Sequence, residues 1–158
     1  MSDLPASAQK VSDTAASMGL AIAIKEFPDG TRTAVDAAEA VGCVVNQIVK
    51  SMIFNADGEL ILALTSGGNL VDGDALAILA DVRKCGRADA DAVRVHTGYA
   101  IGGVPPFGHD HAVRTWIDPV LLDFDQVWAA AGTPHHVFPI EPNDLVRITG
   151  AVVASFTQ

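Results

Sequence analysis

Aromatic residues make up only 6% of this chain of 158 residues, and Lys plus Arg number 10 against 19 Asp plus Glu. The resulting formal charge of -9 excludes a protein that grips long stretches of nucleic-acid backbone, because such binding draws its affinity from cations that neutralise phosphates. Any nucleic-acid contact must be local, and DNA is not expected as a partner. Cysteine is scarce as well. Cys43 and Cys85 stand far apart without a CxxC neighbour, which argues against a zinc ribbon or a disulfide scaffold, and Cys43 reads as core. No apolar run approaches the roughly 18 residues of a membrane span, since Asp, Lys, Arg or Gly interrupts each one first. Residues 1–10 carry Ser, Asp and Pro where a secretory signal needs a positive start and an apolar run, so a cytoplasmic protein is expected. Three nucleotide and hydrolase signatures are missing too: no Gly-Lys-Ser/Thr P-loop, no GxGxxG between strand and helix, and no nucleophile elbow.

What is present is the profile of a compact fold, with 49% hydrophobic and 18% charged residues. The length suits one domain with a sizeable core, taken here as residues 1–158. Apolar spacing predicts a helix over residues 7–17, with Gly19 at its C-terminal end. An Ile-rich strand follows over residues 20–27, closed by the turn Pro28, Asp29 and Gly30. Thr33 then caps a helix over residues 34–41 that Gly42 ends. Strands over residues 48–54 and 60–65 are joined by Asn55, Ala56, Asp57 and Gly58, the clearest hairpin in the sequence. Helices are predicted over 72–79, from about Asp89, and over 141–146, and strands over 113–117, 126–130, 137–140 and 152–156. Helices and strands interleave without a repeated βαβ unit. The expected fold is therefore α+β: a single domain with a mixed, curved, barrel-like sheet flanked by helices.

Lys50 is the first anomaly. Period-two alternation puts Ile48, Lys50, Met52 and Phe54 on one face of its strand and Val49, Ser51 and Ile53 on the other, and both faces are largely apolar. A lysine there must snorkel to water, pair with an anion, or face a cavity. The second anomaly runs from Thr97 to His109, where Gly98, Gly102, Gly103 and Gly108 together with Pro105 and Pro106 impose an unusual backbone path. A Gly-Gly pair can form a structural turn, or it can let a ligand approach the main chain and aim N–H groups at a carbonyl or oxyanion.

The pattern Gln47-Ile48-Val49-Lys50-Ser51-Met52, followed about fifty residues later by Thr97-Gly98-Tyr99-Ala100-Ile101-Gly102-Gly103-Val104-Pro105-Pro106-Phe107-Gly108-His109, resembles the YbaK and prolyl-tRNA synthetase associated domain family. The resemblance spans the chain from the first helix to Val152. It implies hydrolysis, in trans, of the ester between a mischarged amino acid and the terminal adenosine of tRNA, commonly the tRNA for proline. It gives Lys50 the role of contacting the tRNA end, and gives Gly102 and Gly103 the role of surrounding the scissile ester. The neighbouring sugar hydroxyl would assist the attacking water, which suits a sequence without a visible Ser, His and Asp set. Ile101, Ser66, His136 and Pro105 are expected to touch the substrate. Pro105 departs from the Ser or Thr that many members place before the proline, so a side-chain hydroxyl is lost there.

Several other features receive plainer readings. His109, Asp110, His111, His135 and His136 lack the fixed spacing of a zinc site, and neither a metal nor another cofactor is expected. His135 and His136 lie in a late loop that approaches the aminoacyl pocket in the family, and Ser66 belongs to a polar loop, 65–69, that hairpin pairing brings near Lys50. Trp116 and Trp128 read as core. Arg83, Lys84, Arg87 and Arg94 form the densest basic cluster, either a solvated face or a small positive patch. The expected partner is the acceptor end of a mischarged tRNA, held weakly or delivered by a synthetase or elongation factor. Alanine is the first expectation for the amino acid and cysteine the second, with serine or threonine behind. The rival reading is a non-catalytic module that binds a tRNA end or a synthetase through the same pocket.

Overall fold

The computed structural model describes residues 4–31 and 33–158; Met1, Ser2 and Asp3, part of the segment read for an export signal, lie outside them. Local sequence sets most of the elements. Helix α1 spans Ala6–Ser17, and helix α2 spans Ala34–Val41, with the Thr33 hydroxyl accepting from the Asp36 N–H and Gly42 closing it at φ +79°. Strands β2 (Val49–Ala56) and β3 (Glu59–Ser66) pair antiparallel from Val49↔Ser66 to Ala56↔Glu59. Their connection, Asp57 and Gly58, has both φ values positive, at 52° and 101°, the type I′ geometry whose twist matches a tight hairpin. Helices α3 (Gly73–Ala80) and α4 (Ala90–Thr97) begin at Asp72 and Asp89, whose carboxylates accept from N–H groups of the first turn.

Strand β4 (Cys85–Arg87) pairs with the far end of β2, and strand β5 (Arg114–Ile117) runs parallel to β3. Strands β6 (Val127–Ala130) and β7 (His136–Ile140) form a second antiparallel pair, joined at its edge by the two-residue strand β1 (Lys25–Glu26). Helix α5 (Pro142–Thr149) and strand β8 (Val152–Val153) complete the chain, β8 lying parallel to β5. The result is a single α+β domain with one five-stranded sheet, β4-β2-β3-β5-β8, and one three-stranded sheet, β1-β7-β6. The barrel-like expectation needs correction. The sheets do not close on each other; they meet at one bridge, Ile48 to Trp128.

Strand β3 shows why a near-continuous apolar run lies at the centre. Leu62 and Leu64 face the main core with Val49, Ile117, Val127 and Phe138, while Ile61 and Ala63 face Leu76 and Ala80 of α3, Trp116 and Phe156. Burial on both faces removes the alternation that a half-exposed strand would show.

Two expected strands are shorter in the structure, and one strand is additional. Across residues 20–27, Leu20, Ile22 and Ile24 pack inward at alternate positions, but ladder pairing starts only at Lys25↔Val137. Across residues 152–156, pairing stops at Val153, and Phe156 instead plugs the second core cluster. Strand β4 was not foreseen, because three residues with a central glycine are too short to show a period.

Phe138 is fully buried and packs edge-on against Phe107 with ring centroids 5.8 Å apart. Phe138→Ala is expected to cost about 3–5 kcal/mol. Urea denaturation should show a lower midpoint at unchanged slope.

Candidate active site

The two edges of β2 are treated differently. One edge is paired along its whole length with β3. The other touches β6 only through Ile48 and resumes pairing with β4 at Phe54. On that second edge Ile53 accepts a hydrogen bond from the Ala88 N–H, so by period two the main-chain groups of Ser51 point the same way, into the gap. A cavity of about 340 Å³ opens there. Its walls are Ile48 to Met52 on one side, Trp128 to Ala130 on the other, Ala34 and Ala37 of α2, and Ile101 and Gly102 of the glycine-rich loop.

Lys50 therefore lines a cavity, and its ammonium is also hydrogen-bonded. Its Nζ donates to the main-chain carbonyl of Asn69 at 2.5 Å. Burial pushes the Lys50 pKa below its ordinary value, and the nearby Asp118 carboxylate acts in the opposite sense. Asp118 is 1% exposed, at the end of β5. It accepts from Ser66 N–H at 3.1 Å, from Asn69 Nδ2 at 2.9 Å and from Val120 N–H at 3.0 Å.

The glycine-rich loop divides its labour. Gly103 N–H donates to Ala100 C=O at 3.0 Å, closing a turn with Ile101 and Gly102 at its centre. Gly102 has φ +96°, as the third position of a type II turn requires, and a β-carbon there would be strained. Gly102 lines the cavity beside the exposed Ile101, and its N–H has no protein acceptor among the described residues. Gly103 serves packing instead. A β-carbon on it would lie 2.7 Å from the Thr133 main chain, and its N–H is already spent in the turn. Of the two glycines, only Gly102 therefore has an N–H without a protein acceptor among the described residues, because the hydrogen bond that shapes the turn consumes that of Gly103.

The remaining expected contacts lie elsewhere. Pro105 is buried outside the cavity lining, with its carbonyl 2.7 Å from His109 Nε2, and burial pushes the His109 pKa down. Ser66 is fully buried, with its hydroxyl donating to Asn46 C=O at 2.7 Å. Asn69, three residues on, is the member of that loop that meets Lys50. His136 is 3% exposed and lines a separate depression with Glu26 and Thr133. Its Nε2 lies 3.3 Å from a Glu26 carboxylate oxygen and its Nδ1 lies 2.5 Å from the Thr133 hydroxyl. Lys50, Ile101 and Gly102 are thus brought together, while Gly103, Pro105, Ser66 and His136 surround or support them at one remove.

Two wall residues and one buried carboxylate behind them escaped the sequence reading. Trp128 is 8% exposed, as a core residue should be, yet it forms a cavity wall with the Lys25 ammonium 5.2 Å from its ring centroid. Ser51 has a buried hydroxyl without a hydrogen-bond partner. Asp118 gave no local signal, since its partners are 49 and 52 positions away in the chain. Among the described residues lining the cavity there is no imidazole, thiol or carboxylate; the hydroxyl residues Thr31, Thr33 and Ser51 line it. A cation, a main-chain N–H without a protein acceptor and largely apolar walls can bind and polarise a compact carbonyl group.

This arrangement has relatives. The aminoacyl-tRNA editing domain family matches residues 28–148. A crystal structure described as a candidate trans-editing enzyme for prolyl tRNA synthetase is 39% identical and superposes with a TM-score of 0.93 over 99% of both chains. The protein APE2540 is 29% identical, with a TM-score of 0.87 over 94% of this chain and 99% of that one. The uncharacterised protein YwhH of Bacillus subtilis (strain 168) is 27% identical over 122 residues, covering 77% of this chain and 78% of its own length. With the family match covering most of its length, the chain belongs to the aminoacyl-tRNA editing domain family.

Proposed function

We propose that this protein is a deacylase that acts in trans on a mischarged tRNA, hydrolysing the ester between the amino acid and the terminal ribose. The observation that carries the reading is the meeting of Lys50 with the Gly102 turn in one small cavity that no imidazole or carboxylate lines among the described residues. Lys50 anchors the anionic end of the tRNA. Gly102 N–H takes the ester carbonyl as negative charge develops on it, and the apolar walls exclude bulk water and strengthen that bond. Water adds to the carbonyl carbon, the bond to the ribose oxygen breaks, and that oxygen leaves with a proton. The vicinal ribose hydroxyl orients the water and relays the proton, since no imidazole or carboxylate lines the cavity among the described residues.

The cavity is near the lower end of the range of about 300–1,000 Å³ usual for small-ligand sites. With Ala34, Ala37, Ile48 and Trp128 in its walls, it suits a small, apolar amino acid. Alanine on the tRNA for proline is the proposed substrate, with cysteine second. Exclusion by size is weak against smaller competitors, since one methylene is worth roughly 1–3 kcal/mol.

Ala-tRNA and Cys-tRNA incubated with the purified protein should lose their ester faster than in buffer; no acceleration on a panel of mischarged tRNAs would leave a binding module instead. Lys50→Ala should slow this loss by about 100-fold or more, the scale of removing one electrostatic contact to a transition state. Its circular dichroism spectrum should match that of the parent. Gly102→Val should inactivate as well, through the strained φ and the filled turn. Because burial lowers the Lys50 pKa, the protein-dependent rate should fall with rising pH before the ordinary lysine value of 10.5 is reached, as the ammonium loses its proton. With a formal charge of -9, tRNA binding should be weak and should weaken further between low and moderate salt in a filter-binding titration.

A further inference from the structure

Asp118 makes no hydrogen bond to Lys50, yet its bonds converge on the same place. Its Oδ2 accepts from the last residue of β3, through the Ser66 N–H, and from the loop that follows, through the Asn69 side-chain amide, while its Oδ1 caps the 3-10 turn Pro119–Asp123 through Val120 N–H. Asn69 is the link: its side chain is held by Asp118, and its main-chain carbonyl receives the Lys50 ammonium. A carboxylate this deeply buried is costly unless hydrogen-bonded and paired, and the cation it acts on is Lys50.

We propose that Asp118 is a positioning residue for Lys50, holding the Asn69 carbonyl in line with the ammonium and supplying its counter-charge across that link. The proposal rests on the reading of Lys50 as the ester-site anchor, but the pairing itself is measurable without tRNA. Lys50 is reached by two opposing influences: burial, which favours the neutral amine, and the Asp118 charge, which favours the ammonium. Asp118 is the charged group that acts on Lys50 among the described residues, so neutralising it leaves burial unopposed.

The test uses the full chain and two variants, Asp118→Asn and Asn69→Ala. Lys50 is pulse-labelled with acetic anhydride across a pH series and quantified by mass spectrometry, with exposed Lys84 as internal reference. In Asp118→Asn the Lys50 labelling midpoint should fall by about one pH unit or more, as expected when a neighbouring opposite charge is removed, while the Lys84 profile stays fixed. Asn69→Ala keeps the carboxylate but loses the tie, so its midpoint should remain near that of the parent. Its single-turnover deacylation at neutral pH should fall about 10-fold with little change in the substrate concentration that half-saturates the enzyme. A folded Asp118→Asn with an unshifted Lys50 midpoint overturns the proposal. If Asp118→Asn does not fold, an Asn69→Ala variant with parental deacylation overturns it instead. Labelling is read on the protein alone, so failure of the deacylase reading appears separately, as parent protein that shows the Lys50–Asp118 pairing but leaves the ester intact.

Discussion

The site depends on one ammonium group held at the unpaired edge of a buried strand. β2 satisfies its backbone on one edge through β3 and leaves the other open between Ile48 and Phe54. That opening is the cavity, and it exists because two sheets joined by the single bridge Ile48 to Trp128 diverge after it. A cation at such a place is stable only where its lost hydration is replaced. The Asn69 carbonyl replaces part of it, and the Asp118 carboxylate opposes the effect of burial from a distance without outweighing it. The loop between β3 and α3, the end of β5 and the start of β2 are thereby tied to one charge.

Much of the fold was legible because it is written in local chemistry. Thr33, Asp72 and Asp89 sit at helix starts, Gly42 and Gly98 at helix ends, and Asp57-Gly58 between two apolar runs, and each acts within a few residues of its own position. The elements that were misjudged depend on distant partners. Residues 20–24 have the composition of a strand but no neighbour to pair with, and β4 has a neighbour but too few residues to declare itself. Closure of the sheet is likewise a matter of how far two strands diverge, which alternation patterns do not encode.

The same division runs through the site. Lys50 was conspicuous as a charge inside an apolar strand, and the Gly102 turn as a dense run of glycine and proline, so the two halves of the cavity were both visible and the resemblance joined them. Asp118 was invisible, being an ordinary aspartate before a proline, and only the folded chain places it under the loop that carries Asn69. Gly102 and Gly103 looked equivalent in sequence; a single hydrogen bond to Ala100 gives the first an open N–H and makes the second a packing element against Thr133. His136, expected to touch the substrate, lies between Glu26 and Thr133, beside the chain segment on which Gly103 rests.

The cavity draws its electrostatic groups from β2 and the glycine turn, but much of its floor comes from α2 through Ala34 and Ala37. These alanines belong to an eight-residue helix outside both sheets, capped at each end by its own residues. On the proposed reading, room for the ligand's side chain and polarisation of its carbonyl fall to separate pieces of the polypeptide. Exchange of those methyl groups for larger or polar ones would then alter which amino acid fits while leaving Lys50 and the Gly102 turn in place.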